Sequence, residues 1–502
     1  MIGRYLKQKI ESIWSDASKT QRWDDTEIAV IGAKTKAGRK RISTAVFERI
    51  ASILRANPVD LRWWYKRDEE IHHDAQAYVE ERRRHLTEPE LAEPFHDEGM
   101  TSFDTEESAS VRMLADSVSE VMPLIDKLKA TISDLALRYR YSVMRERSHG
   151  NGGDLKTFGS RCLTWLVDVR VAEMNIKAAA EWLQYSKISG AFGNYTGIDP
   201  KVEEEALKTL GLKPFYGATQ ILPRILFSAL SDALSGLVLQ LNKISHDVRL
   251  GARSPFPIYQ EPFGTIQKGS SAMPDKRNPI RSEQIEGMAR MALGKSIALK
   301  LNIVTDEARA IEQSCVERVE WPDLFHIVVH SLETVNTVLS GLKIYPDTMI
   351  WEIVQSRGCY AASTAKDELK RMGRGVGLTA DDAYRIVQLA AANVMSRNVM
   401  NKNFRRNPPS SFEASQTEWR RMNFDLSHNS RSGLVIQDVI QNGELEVSPE
   451  LAATEAEVDS WNKKLGTIFI HPENRARWQE IFTFKYLLRN EAKLYKEILG
   501  VD

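Results

Sequence analysis

Two adjacent serines, Ser270 and Ser271, follow a glycine in the stretch Lys268–Glu283, and Met273, Pro274, Lys276, Asn278 and Glu283 come after them. A glycine-rich loop offering hydroxyls, an ammonium and an amide in so short a span can take a proton from a carbon beside a carboxylate. It can also hold the charge that results. A serine hydroxyl is a weak base at neutral pH unless backbone amides, a helix N-terminus or a cation stabilise its alkoxide. Ser270 lies beside a glycine with Lys276 close in sequence, so the arrangement suits that task. Such a reaction also needs an acid for the departing group and donors around the carboxylate as it becomes a dianion.

The Ser270–Pro279 motif resembles the signature of the fumarase/aspartase superfamily, whose members eliminate fumarate or a related acid from a substituted succinate. Its form, Ser-Ala-Met-Pro-x-Lys-Arg-Asn-Pro, is most similar to that of the adenylosuccinate lyase family. The resemblance implies that Ser270 is the base and that Lys276 and Asn278 hold the succinyl carboxylates, with Ser271 and Met273 beside them. Arg147-Ser148-His149-Gly150, followed by Thr157-Phe158-Gly159, resembles the family's Arg-Thr-His…Thr-Phe-Gly segment. His149 would then protonate the departing nitrogen and Glu283 would orient its imidazole. Ser148 stands where the family has threonine, and Asn151–Lys156 (NGGDLK) replaces a stretch usually richer in Gln, Pro and Thr.

Further segments fit the same family in the same order. Ile71-His72-His73-Asp74 and Ala77 resemble Thr-Arg-His-Asp-Val-x-Ala, with His73 and Asp74 on the His-Asp pair and His72 on the arginine. The plainer alternative for this segment is a polar helix start. His96, Gly99, Thr101, Ser102 and Asp104 resemble an element in which Thr101 and Ser102 bind a carboxylate at a helix N-terminus; alone, Thr-Ser-x-Asp is an N-cap. Arg4 and Tyr5 resemble the family's opening pair, and Gln220 its succinyl-contacting glutamine. Arg309, Ser314 and Arg318 repeat its Arg-x4-Ser-x3-Arg, implied to hold phosphate and ribose. The match runs from residue 1 to about residue 345 and is loose beyond.

These pieces need a scaffold. From Val111, apolar residues recur at Leu114, Val118, Val121, Ile125, Leu128, Ile132 and Leu135, a helical period. Ile221, Ile225, Ala229, Ala233, Leu237, Leu241, Ile244 and Val248 repeat it, and segments 163–183, 285–301 and 324–342 behave alike. Helices this long need one another's apolar stripes, so the spacing predicts an all-α fold around a five-helix bundle. Strand signals are sparse. Glycines and prolines from Gly251 to Pro279 predict a long loop carrying the signature, and Asn403–Ser415 reads as a surface loop. The expected division is an N-terminal helical part (1–107), a central bundle with the signature loop (108–346) and a C-terminal helical part (347–502).

Composition narrows the classes further. Lys and Arg total 68 and so do Asp and Glu, so no overall field recruits nucleic acid or an anionic membrane. Three scattered cysteines suit a reducing cytoplasm, and no apolar run reads as a signal peptide or bilayer span. His326 and His330 stand four apart but no third ligand is evident; with Glu333 they read as a polar helix face, and neither metal nor cofactor is implied. Dispersed site segments on long rods, together with the resemblance, imply a homotetramer with sites shared between subunits; periodicity alone permits a dimer. Two other readings stay open: a lyase of the same superfamily acting on a different succinyl substrate, and a non-catalytic helical scaffold.

Overall fold

The computed structural model describes residues 1–38, 40–97, 99–399, 435–449 and 451–501, with only the backbone of 396–399; the loop expected at Asn403–Ser415 lies outside them. Contacts divide the chain into two compact units. The first comprises Met1–Ile132, Trp165–Ala252 and Gln260–Lys343; the second comprises Ser133–Thr164, Arg253–Tyr259 and Ile344–Asp502.

All five expected long helices form: Ser102–Arg138, Phe158–Ala180, Ile225–Gly251, Ile280–Leu301 and Glu312–Ser340. The last three pack on one another in the first unit. Every apolar residue named on the Ser102–Arg138 helix, from Val111 to Leu135, is buried. The Ile225–Gly251 stripe differs from expectation, because Ile225 and Ala229 face outward while Leu226, Leu230, Leu234 and Leu237 are buried. This helix is apolar around most of its circumference, so the sequence allows several stripes and packing selects one. Contrary to the sequence expectation, it is also long and apolar enough to cross a membrane by length and composition, although 61% of its most apolar window is buried.

Polar contacts tie the rods to one another. Thr131 Oγ1 donates to Asn336 Oδ1 at 2.7 Å, and Trp165 Nε1 donates to Asp247 Oδ2 at 2.8 Å. His326 lies on a polar helix face, as expected, but not on an exposed one. It is buried, and its Nδ1 accepts the Lys7 amide at 3.0 Å, tying the N-terminal segment to the Glu312–Ser340 helix. Ahead of the rods, Trp23 makes edge contacts with Trp64 and Tyr78 in a smaller core.

The second unit holds an element that the sequence did not suggest. Val143–Ser148 and Asn151–Thr157 pair as an antiparallel hairpin, Val143 opposite Thr157 and Ser148 opposite Asn151, with an irregularity between Arg145 and Arg147. Its turn is His149-Gly150, with φ of 53° and 80°, the positive values that two-residue hairpin turns need. Elsewhere in this unit, Leu369, Ile386, Ala390, Ile436, Ile440, Trp461, Leu465 and Trp478 form an apolar core.

Candidate active site

The signature loop folds back on itself. Asn278 Nδ2 donates to the Gly269 carbonyl at 2.8 Å, and a Cβ on Gly269 would fall 2.0 Å from the Lys276 carbonyl oxygen. Glycine is required there because the two ends of the loop touch. Inside it, Ser270 Oγ accepts the backbone N–H groups of Met273 at 3.1 Å and Ala272 at 3.3 Å. Two amide dipoles aimed at one hydroxyl oxygen favour its ionised form. Ser271, Met273 and Lys276 are exposed around it.

The loop ends on the Ile280–Leu301 helix, whose N-cap, Pro279, has no side-chain acceptor. Buried Glu261 supplies one: Oε2 accepts the Ser282 amide at 3.1 Å and hydroxyl at 3.0 Å, and Oε1 accepts the Arg281 amide at 3.2 Å. A carboxylate from outside the helix thereby satisfies its orphan donors. Glu283, in the first turn, is exposed and faces Arg249 Nε at 3.9 Å.

A second group of site residues surrounds a cavity of about 270 Å³ in the same unit. Asp74, Ser314 and Arg318 line it, with walls from Trp14, Phe103 and Trp321. Arg318 Nη2 pairs with Asp74 Oδ2 at 2.7 Å. Arg309 donates to Ser314 Oγ at 2.9 Å and lies 3.9 Å over the Phe103 ring. Burial pulls the Arg309 guanidinium below its usual range. Lys19, also on the lining, pairs with Asp16 at 2.8 Å and sits over the Trp64 ring. None of residues 268–283 lines this cavity.

The expected carboxylate binders meet: Gln220 Nε2 donates to Thr101 Oγ1 at 3.1 Å. Asp104 holds the turn, accepting the Thr101 amide at 2.9 Å on one oxygen and pairing with buried Lys187 at 2.6 Å through the other. Ser102 opens the long helix. His73 caps the Asp74–Arg83 helix, its Nδ1 accepting the Gln76 amide at 3.1 Å, and His72 just before it adopts the left-handed conformation. Both imidazoles are exposed. Arg4 is exposed, and Tyr5 packs edge-on against His330 at 5.1 Å, away from the cavity lining.

In the second unit His149 and Ser148 are exposed at the hairpin end. Arg147 holds the turn, donating to the Gly150 carbonyl at 3.1 Å and pairing with Glu352. At the hairpin base Glu491 accepts the Thr157 amide and hydroxyl at 2.9 and 2.8 Å. The hairpin is therefore fixed at both ends.

Sequence reasoning missed Glu106, Lys19, Phe103, Trp321 and Glu261. For Glu106 a signal existed: Phe103, Glu106, Ser110 and Met113 share one helix face, where an acid stands between buried Phe103 and Met113. Glu261 carries no local signal, because its role depends on a helix twenty residues away in sequence.

A family model described as Lyase matches residues 11–294. The adenylosuccinate lyase of Synechocystis sp. is 32% identical over 391 residues, 78% of this chain and 88% of the relative. That of Bacillus subtilis is 28% identical over 400 residues, 80% and 90% of the two chains. Among solved structures, a fumarate lyase from Mesorhizobium sp. superposes with a TM-score of 0.70 at 19% identity, covering 96% of this chain and 99% of that one. The 3-carboxy-cis,cis-muconate lactonizing enzyme of Pseudomonas putida gives 0.70 at 17%, covering 97% and 98%. These two likenesses establish the fold: all-α, of the fumarase/aspartase type.

Proposed function

The chain belongs to the lyase family that includes the adenylosuccinate lyases, and from that premise we propose that it eliminates fumarate from adenylosuccinate to give AMP. The same carbon–nitrogen cleavage would serve succinylated aminoimidazole carboxamide ribotide, which makes it an enzyme of purine synthesis working in the cytoplasm. The observation that carries the reading is the Ser270 hydroxyl in its two-amide nest.

In the proposed reaction the Ser270 oxygen takes a proton from the succinyl carbon beside a carboxylate. That carboxylate becomes an aci-form dianion, held by Lys276 and Asn278, with Thr101, Ser102 and Gln220 gripping the other succinyl end. The carbon–nitrogen bond then breaks, its electron pair passes to nitrogen, and His149 supplies the proton. Glu283, exposed and only loosely engaged by Arg249, is free to orient the imidazole. Arg309, Ser314 and Arg318 bind phosphate and ribose, with His73 and Asp74 beside them and Arg4, Tyr5 and His72 at the nucleotide end.

Site residues are shared between subunits in this account, and the assembly is a homotetramer. Exposed apolar stripes support it: Val167, Val171 and Met174 on one rod, and Leu293, Ile297 and Leu301 on another, are large, outward and at helical spacing. The test compares adenylosuccinate with its dephosphorylated nucleoside. The nucleoside should show a KM raised at least about tenfold, since a charge-assisted contact contributes about 1.5–3 kcal/mol. Equal cleavage of both would favour a lyase for a different succinyl substrate.

A further inference from the structure

We propose that Glu106 is a specificity-determining residue of the nucleotide cavity: its carboxyl competes with the substrate phosphate for Arg318, and the phosphate enters together with a proton on Glu106. The inference rests on the cavity being the nucleotide site.

The geometry is a contest for one cation. Arg318 Nη2 lies 2.7 Å from Asp74 Oδ2 and 3.7 Å from Glu106 Oε2. Arg318 is half exposed at 49%, whereas the Asp74 and Glu106 side chains are 18% and 12% exposed. The cation can turn toward a ligand and the two carboxyls cannot leave. Asp74 is further fixed because its Oδ1 accepts the Ala75 amide at 2.9 Å.

Charge on the surrounding elements sharpens the contest. Among the described residues five carboxyls line the cavity: Asp16, Asp74, Glu106, Glu107 and Glu317. Lys19 and Arg318 line it too, with Arg309 and Arg224 at its edge. Most of these acids already have partners. Lys19 pairs with Asp16, and Arg224 is held between Glu107 at 2.8 Å and Glu317 at 3.0 Å. Glu106 is the carboxyl whose nearest cation, Arg318, is already engaged by another acid. Fully ionised, this lining would repel an incoming phosphate dianion. Burial, with Asp74 as like charge beside it, pushes the Glu106 carboxyl up to about 7 against the pull of Arg318, Arg309 and Lys19. Below that pH the carboxyl is neutral and can donate a hydrogen bond to a phosphate oxygen; above it the carboxylate and the phosphate compete.

The test is AMP binding to the full-length protein by calorimetry between pH 6 and 8.5, for wild type, Glu106→Gln and Glu106→Asp, with adenosine as the ligand lacking phosphate. AMP's own second ionisation, near about pH 6, is common to all three proteins and cancels in the comparison. Wild-type affinity should fall as pH rises through 7. Glu106→Gln should hold its affinity and bind AMP about tenfold more tightly than wild type at pH 8, a difference of about 1.4 kcal/mol. Glu106→Asp should retain the fall, and adenosine binding should be alike in all three. Equal AMP affinity and equal pH slope in wild type and Glu106→Gln would overturn the proposal. So would an adenosine affinity shifted as much as that of AMP, because Glu106 would then be shaping the cavity rather than reading charge. Failure to bind AMP at any pH would overturn it together with the nucleotide reading. Steep pH-dependent AMP binding without cleavage of adenylosuccinate would remove only the assigned reaction.

Discussion

Replacing Glu261 by alanine should loosen the signature loop without touching a residue assigned to the chemistry. One buried carboxylate accepts three hydrogen bonds, from the Arg281 amide and from the Ser282 amide and hydroxyl, at 3.0–3.2 Å. A hydrogen bond to a charged group contributes about 1.5–3 kcal/mol, and losing an N-cap costs about 0.5–2 kcal/mol. The three bonds share one acceptor and are not additive, so the expected loss is about 3–5 kcal/mol. Glutamine keeps one carbonyl oxygen and should lose about half as much. Because Asn278 and Lys276 immediately precede this helix, turnover should fall by more than the loss of folded protein explains. Denaturant unfolding followed by helix signal, together with fumarate release from folded protein, reads both effects. An unchanged midpoint with unchanged turnover in Glu261→Ala would refute the capping argument.

Gly269→Ala forces a Cβ to within 2.0 Å of the Lys276 carbonyl oxygen, so fumarate release should drop about a hundredfold while global unfolding barely moves; near-normal release would mean the closed loop is dispensable. Ser270→Ala and His149→Ala should each lower turnover at least about a hundredfold, and mixing the two inactive proteins with subunit exchange should recover part of the activity. No recovery despite confirmed exchange, or a monomer by light scattering, would refute shared sites. Asp24, hydrogen-bonded by Tyr78 at 2.8 Å, has its carboxyl pushed up to about 7 by burial, against the pull of Arg82. A raised carboxyl contributes stability that is complete below its unfolded value of about 3.9 and is lost as pH rises through 7. Asp24→Asn should abolish that component of the pH dependence while the share from Glu106 remains, and an unfolding midpoint that falls as steeply across the same window in the variant as in wild type would contradict it.

The long helices were legible because each carries many apolar residues at one period, and the Val111–Leu135 stripe is buried throughout. The same rule misplaced Ile225 and Ala229, where an apolar surround leaves the buried face undetermined by sequence. The signature loop was legible because its chemistry is local: serine, amide donors and closing glycine lie within ten residues. The hairpin carrying His149 was not. Its strands are short and charged, and Gly152 and Gly153, residues that weaken a strand pattern, lie in the second strand while the turn falls on His149-Gly150. Glu261 was invisible, and Glu106 showed only as an acid on a helix stripe, for another reason. Their importance comes from Arg318 and from the Arg281–Ser282 amides, partners brought near by the fold and distant along the chain.

The most direct measurement is incubation of the purified protein with adenylosuccinate while fumarate and AMP are both quantified. Wild type should release the two products in equal amounts, and Ser270→Ala almost none. No fumarate from wild type, or as much from Ser270→Ala as from wild type, would contradict the proposed elimination.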